Sequence, residues 1–415
     1  MKICILGLGY VGLPLSFAFS KIHYVIGYDS SKKRIDELKK CHDINSEFSK
    51  KDFKKNKNLI FTNQQNEIKD CNIYIITVPT PIKKNKEPDL RPLLKASKVV
   101  GQNLSKNDIV IYESTVYPGC TEEKCVPVLE EYSNMVFNKD FFCGYSPERI
   151  NPGDKNRKLT DIVKVTSGSN KATSLKVDSL YKKIIKAGTY LTESIKIAEA
   201  SKIIENIQRD VNISLMNELA IIFNKMDIDT KSVLKASSTK WNFLNFQPGL
   251  VGGHCIGVDP YYLAHKSKEL HYTPKVILSG RKVNNKMGEH VANSIIQLLT
   301  KKNIDPKYCT ALILGVTFKE NCSDIRNSRV FNLHKSLVKH NINVQLYDPH
   351  AINEEVFKNH KLNLISKIKS KYDVIILAVA HEEFLKMNLL NFKKINGIIY
   401  DVKSVLDKKI ITARL

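Results

Sequence analysis

The chain has 415 residues, 42% hydrophobic and 26% charged, a composition that excludes a disordered chain and allows two or three globular domains. Its longest apolar runs, such as residues 374–380, fall far short of the roughly 20 residues a membrane-spanning helix needs, and the first strand starts too early for a signal peptide, so a cytoplasmic protein without membrane insertion is expected. The net charge of +23 comes from scattered lysines rather than one basic face interleaved with aromatics, which argues against nucleic acid and for a small anionic substrate.

Strand and helix patterns alternate from the first residues. Ile3–Leu6 is a short apolar run that ends in Gly7-Leu8-Gly9-Tyr10-Val11-Gly12. A helical stretch follows, then Tyr24–Tyr28 closed by Asp29, and later the runs at 73–78 and 109–112. Continuous apolar runs separated by helices predict strands buried on both faces of a parallel sheet. From about Glu193 to Met226 there is neither proline nor glycine, and the apolar residues Ile203, Ile207 and Val211 recur at helical spacing. Such a helix would run roughly 50 Å. Two readings stand for it: a bridge that also pairs with its copy in a homodimer, or a purely intramolecular core helix.

The last third repeats the opening scheme. Residues 311–314 end at Gly315, 344–347 end in Asp348, and strands at 373–379 and 397–401 complete the set. Even the Tyr-Asp pair that closes the second strand recurs. The fold class expected is α/β: two doubly wound Rossmann-like domains, 1–190 and 301–415, joined through a central helical region, 191–300. Only the first half carries the glycine fingerprint, so the second is expected to bind something other than a dinucleotide.

The glycine motif gains weight from its setting between a buried strand and a helix, with an acidic residue closing the next strand. Gly7 permits the tight turn, Gly9 lets a pyrophosphate approach the backbone, and Gly12 lets helix and strand pack closely. Asp29 suits a ribose hydroxyl and repels a 2′-phosphate, favouring NAD over NADP, although Lys32, Lys33 and Arg34 weaken the discrimination. A second glycine-rich segment holds Gly249, Gly252, Gly253 and Gly257, with Cys255 among them and Asp259-Pro260 reading as a helix start. Two readings stand for Cys255. One is a nucleophile whose thiolate a helix N-terminus promotes; the other is a buried cysteine in a turn. The eight other cysteines are scattered, form no Cys-x-x-Cys pair and read as small hydrophobes, so neither disulfides nor a metal site is expected.

Over essentially its whole length the chain resembles the UDP-glucose/GDP-mannose dehydrogenase family. The resemblance rests on Gly7–Gly12, Val78-Pro79-Thr80-Pro81, Glu113-Ser114-Thr115, Ser146-Pro147-Glu148, Ala200-Ser201-Lys202 with Asn206, Gly252-Gly253-His254-Cys255 with Asp259, and Phe318-Lys319 with Arg326. His254 stands where many UDP-glucose members carry serine, and the wording of the loops at 117–121, 146–153 and 249–260 is most similar to the N-acetylhexosamine branch.

The resemblance implies a four-electron oxidation of a UDP-N-acetylhexosamine, UDP-N-acetylglucosamine favoured, at the C6 alcohol, with two NAD, for surface polysaccharide synthesis. UDP-N-acetylgalactosamine, UDP-N-acetylmannosamine and UDP-glucose are the alternatives. Cys255 would capture the aldehyde and pass through a thioester, with Lys202, Asn206, Asp259, Glu148 and Thr115 assisting. NAD would be held by Gly7, Gly9, Tyr10, Val11, Gly12, Asp29, Arg34, Pro79, Thr80, Ser114, Thr115, Glu148 and Arg326. The sugar nucleotide would meet Glu148, Lys202, Asn206, Phe246, Gly249, Gly252, Gly253, Phe318 and Lys319. A non-catalytic NAD-binding scaffold is the reading from a different class, and the presence of both Cys255 and Lys202 argues against it.

Overall fold

Strand β1 (Lys2–Leu6) is apolar after its first residue, and those four side chains are fully or almost fully buried. In chain order it is followed by β2 (Tyr24–Tyr28), β3 (Leu59–Thr62), β4 (Ile73–Ile76), β5 (Ile109–Tyr112), β6 (Phe142–Tyr145), β7 (Lys164–Gly168) and β8 (Thr189–Leu191). These form one eight-stranded sheet in the order β3-β2-β1-β4-β5-β6-β7-β8. All neighbours are parallel except β6 and β7. This is a computed structural model, and it describes residues 1–44, 47–150, 158–253 and 256–415.

Because successive strand side chains point to opposite faces, one sheet feeds two cores. Ile3, Ile5, Ile75 and Ile111 pack with Leu15, Phe19, Leu180 and Tyr181 on one side. The alternate strand residues Cys4, Leu6, Ile76 and Tyr112 are as fully buried on the other side, while Leu8, Leu13, Phe17, Ile35, Leu38 and Phe53 form a separate cluster among the turn and helices that follow β1 and β2. Each fully buried Leu or Ile contributes about 1.5–3 kcal/mol, which is why the apolar runs were legible as strands.

The second sheet contains β9 (Thr310–Leu314), β10 (Asn343–Tyr347), β11 (Tyr372–Leu377), β12 (Lys393–Asp401) and β13 (Ala413–Arg414), all parallel, in the order β10-β9-β11-β12-β13. Ala311 and Ile313 face the helices Lys275–Lys301 and Val330–Lys339 through Val291, Ile295, Leu333 and Leu337. Leu312 and Leu314 face the other way, toward Phe384 and Leu389.

The chain divides into two compact units, residues 1–205 with 261–272 and residues 206–260 with 273–415. The long helix spans Ile195–Lys225, 31 residues or about 46 Å, and begins in the first unit and ends in the second. Ser194 starts it by accepting the Ile197 N–H on its hydroxyl. It ends where Asp227 turns left-handed at φ 55°, letting the N–H groups of Asp227 and Ile228 return to the carbonyls of Asn224 and Phe223. No helix among the described residues is long and apolar enough to cross a membrane.

Candidate active site

The glycine turn of the first unit has the form a dinucleotide needs. Gly7 has φ 95° and donates to the Tyr28 carbonyl at 2.9 Å. A Cβ on Gly12 would collide with the Gly7 carbonyl oxygen and Thr77 Oγ1, so only glycine lets the helix Gly12–Phe19 sit this close to the strand. Gly9 is the opposite case: a Cβ there would meet no protein atom within 4 Å. That open space lies over a helix start with no side-chain cap and no acid in its first turn, which fits a pyrophosphate. Tyr10 and Val11 are half-buried beside it.

Asp29 is half-buried at the end of β2 and braces the turn, accepting the Leu8 N–H on Oδ2 and the Ser31 N–H on Oδ1, both at 2.9 Å. Arg34 is committed elsewhere: its Nε donates to the Leu8 carbonyl at 3.0 Å and its Nη2 pairs with Asp43 at 2.9 Å. Lys32 and Lys33 are exposed. Arg34 therefore supports the turn from beneath instead of offering its charge to a 2′-phosphate.

Three further loops of this unit follow strand ends. Thr77 ties β4 to the turn by donating to the carbonyls of Leu6 and Gly7, with Pro79 exposed and Thr80 half-buried just beyond. Ser114 donates to the Val78 carbonyl at 2.7 Å, and half-buried Thr115 follows it. Glu148, beyond β6, is 9% exposed, and its Oε1 accepts the N–H groups of Arg149 at 2.7 Å and Ile150 at 2.6 Å.

Lys202 also belongs to this unit. It is 9% exposed and makes no hydrogen bond or ion pair with any described residue. An ammonium on a largely buried side chain, with no protein partner, is suited to an oxygen that gains negative charge. Three residues earlier, buried Glu199 accepts the N–H groups of Gly119 and Thr121, fixing the loop after Thr115 against the same helix. Burial pushes its carboxyl up to about 7. Sequence reasoning missed Glu199, whose partners lie 78 and 80 residues away.

In the second unit, Asn206 donates through Nδ2 to Asp259 at 2.5 Å, both residues being buried. Asp259 is the first residue inside the helix Asp259–Glu269 rather than the cap before it, and its carboxylate is turned to Asn206. Asn217, another residue the sequence did not flag, grips Gly249 in both directions, accepting its N–H at 2.8 Å and donating to its carbonyl at 3.1 Å. The glycines after it differ in use. Gly249 opens onto empty space, whereas a Cβ on Gly252 would strike the Asn327 carbonyl and one on Gly253, φ 83°, the Phe318 ring. So Gly252 and Gly253 serve to pack the loop on its own unit.

Phe318 and Lys319 line a shallow cleft together with Leu250, Arg329 and Lys403. Phe246 is half-buried, and Arg326 pairs in a fork with Asp324 and is half-exposed. His254 and Cys255 lie outside the described residues, as do residues 151–157 of the Ser146–Gly153 motif. Among the described residues no cluster could hold a metal ion, and the eight described cysteines are free thiols, six of them buried.

Comparison with known proteins joins these parts. The NAD binding domain of the UDP-glucose/GDP-mannose dehydrogenase family matches residues 1–185, its central domain residues 196–286 and its UDP binding domain residues 312–408. A UDP-N-acetyl-D-glucosamine 6-dehydrogenase of Salmonella typhi is 53% identical over 100% of this chain and 99% of its own length. One from Pseudomonas aeruginosa is 50% identical over 98% of each. A UDP-D-ManNAc dehydrogenase structure from Pyrococcus horikoshii superposes with a TM-score of 0.89 at 28% identity, covering 100% of this chain and 98% of that one. The chain therefore belongs to the UDP-glucose/GDP-mannose dehydrogenase family, as an NAD-dependent UDP-sugar dehydrogenase.

Proposed function

We propose that the protein oxidises the C6 alcohol of a UDP-N-acetylhexosamine, UDP-N-acetylglucosamine first among them, to the uronic acid for surface polysaccharide synthesis in the cytoplasm. Two relatives near half identity over almost their whole length carry that activity in their names. The observation that carries the chemistry is the unpartnered, nearly buried Lys202, four residues before Asn206 on one face of the long helix.

NAD+, held by the Gly7–Gly12 turn and Asp29, supplies the hydride acceptor in each of two oxidations. Lys202 stabilises the negative charge that grows on the C6 oxygen as its proton leaves. Cys255, on the reading the family resemblance gives it, adds its sulfur to the aldehyde carbon, and loss of the second hydride leaves a thioester. Water then forms the new C–O bond while the C–S bond breaks, returning the thiolate. Glu148 takes the proton from water, and Asp259, oriented by Asn206, assists with Thr115.

The long helix also supports a homodimer. Along one face it exposes Ile197, Ile204, Leu215 and Ile222, each 44–55% accessible, a run of apolar surface that a second copy would cover. Analytical ultracentrifugation at micromolar protein should give a dimer; a monomer refutes this assembly.

An NAD+ reduction assay across UDP-N-acetylglucosamine, UDP-N-acetylgalactosamine, UDP-N-acetylmannosamine, UDP-glucose and GDP-mannose tests the activity. The expected result is highest turnover with UDP-N-acetylglucosamine and two NADH per sugar. One NADH per sugar would indicate a simple alcohol dehydrogenase, and none with any sugar a binding scaffold.

A further inference from the structure

Beneath Glu148 lies a buried charge cluster centred on Lys164, a residue that no motif announces. Lys164, the first residue of β7, has a side chain only 3% exposed, and its Nζ sits 2.8 Å from Glu113 Oε2 and 2.9 Å from Glu148 Oε2. Glu113 follows β5 directly and its side chain is fully buried. Its second oxygen accepts from the hydroxyl of Tyr181, itself fully buried on the helix Lys171–Lys182. Glu148 is thus held at both oxygens, by two backbone N–H groups on one and an ammonium on the other.

We propose that Lys164, backed by Glu113, is a positioning residue that governs how Glu148 exchanges its proton in thioester hydrolysis. The inference rests on the dehydrogenase reading above. During hydrolysis the carbonyl carbon gains a water oxygen and loses the cysteine sulfur, and one proton passes from water to Glu148 and then to solvent. Glu148 must therefore alternate between anion and neutral acid beside a buried cation. With Glu148 as its sole partner, Lys164 would become an uncompensated buried charge each time the proton arrived, and that penalty would oppose proton uptake. Glu113 removes the obstacle, because the Lys164–Glu113 pair is neutral by itself.

The surroundings agree with this division of labour. Burial works against the Lys164 ammonium, but the Glu113 and Glu148 carboxylates outweigh it and hold the group above its ordinary range. Burial, reinforced by the neighbouring Glu148 charge, pushes the Glu113 carboxyl up, opposed by Lys164 and by the Tyr181 hydroxyl. The guanidinium beside Glu148, that of Arg149, turns away to the Val163 carbonyl and the Glu205 carboxylate. Among the described residues Glu148 makes no ion pair other than that with Lys164, and the Glu113 carboxylate on the same ammonium is the like charge that faces it.

Single-turnover and steady-state kinetics on the full-length enzyme test the proposal, after the wild type has shown two NADH per sugar. Glu113→Gln keeps the shape and removes one negative charge. Lys164 then favours the Glu148 anion more strongly, and the acid limb of the hydrolysis rate should move about one pH unit lower, with the first NADH burst retained. Tyr181→Phe withdraws the hydroxyl that stabilises the Glu113 anion; a less ionised Glu113 leaves more of Lys164 to Glu148, so the same limb should also move lower, by less than in Glu113→Gln, which serves where the glutamine variant folds poorly. Lys164→Arg, keeping the cation, should leave the limb near its wild-type position. Lower stability or turnover with the limb unmoved in both Glu113→Gln and Tyr181→Phe would make the cluster purely structural and overturn the proposal. A wild type that forms one NADH per sugar, or none, removes the dehydrogenase reading and this inference with it, and that is seen before any variant is made.

Discussion

At the end of β1, Gly7 takes φ 95° and donates to Tyr28; at the end of β9, Gly315 takes φ 90° and donates to Tyr347, each at 2.9 Å. Asp29 then accepts the N–H of Leu8 on one oxygen and that of Ser31 on the other. Asp348 does the same with Val316, at 2.7 Å, and His350, at 2.8 Å. The two halves build one turn from the same parts, yet the positions that follow diverge. Where the first half leaves open space over Gly9, the second has Thr317, 1% exposed, with its hydroxyl bonded to the Lys319 carbonyl and to His381. Where Asp29 is half-exposed, Asp348 is sealed by the fully buried His381. The first turn also enters its helix at once, whereas the second runs on to Val330–Lys339 through the cleft residues. A turn that binds a dinucleotide is thus a turn plus an opening. The second half, which matches the family's UDP binding domain, has filled the opening.

The sharpest way to break this comparison is at Gly9. A Cβ there meets nothing in the protein, so Gly9→Val should leave the melting temperature within about 2 °C of wild type while weakening NAD+ binding about 100-fold or more, because it fills the space a pyrophosphate needs. Calorimetric titration and thermal unfolding measure the two effects. Gly315→Ala should do the reverse, since its strained φ and the clash with Val379 cost stability while NAD+ affinity stays put. Equal loss of NAD+ affinity in both variants would dissolve the distinction between the halves.

The second half can be tested through its plug. His381→Ala removes the fully buried ring that meets Asp348, Thr317 and the Asn321 N–H, and should cost about 3 kcal/mol of stability without changing NAD+ affinity. Burial alone would raise the Asp348 carboxyl, but the His381 bond and the N–H groups of Val316 and His350 outweigh it and hold it below the ordinary range. A depressed carboxyl contributes its full stabilisation above its unfolded value, near pH 4, and loses it as pH falls through the folded one. Asp348→Asn should therefore differ most from wild type at neutral pH, with the gap closing in acid. A gap that widened below pH 4 would show the aspartate acting through packing alone.

Much of this architecture was legible because apolar runs can be read without knowing their neighbours. β1, β2, β4 and β5 and the strands β9 to β12 all announce themselves, and so do the Gly7–Gly12 turn and the long helix. β7 did not. Lys164-Val-Thr-Ser-Gly is polar on paper yet buried at every position, because its polar groups find distant partners. Lys164 meets Glu113 and Glu148, Thr166 meets Asp178, and Ser167 meets the Tyr145 carbonyl. Two-residue β13 carries too few residues for any pattern, and β3, no shorter than β4 or β5, lies at the sheet edge with a single fully buried position, outside the doubly buried pattern. The same reason hid Glu199 and Asn217, whose roles exist only once residues 78–80 and 32 positions away are brought to them.

The smallest effect concerns cofactor choice, where only the first half has a say. Asp29 already spends one lone pair on Leu8 and another on Ser31, but two carboxylate oxygens have capacity left for a ribose hydroxyl. Asp29→Asn keeps the shape and halves the acceptor capacity, since its Nδ2 must face one of the two backbone N–H groups. The KM for NAD+ should rise about tenfold, in the range expected for a hydrogen bond to a charged group. NADP+ should gain in relative terms because the repulsion of its 2′-phosphate is relieved. It should not overtake NAD+, because Arg34 remains bound to Asp43 and the Leu8 carbonyl, leaving only the flexible and exposed Lys32 and Lys33 to meet the phosphate. Wild-type kcat/KM values that were equal for the two cofactors would mean those lysines outweigh Asp29. A variant that preferred NADP+ would mean Arg34 leaves Asp43 when a phosphate arrives.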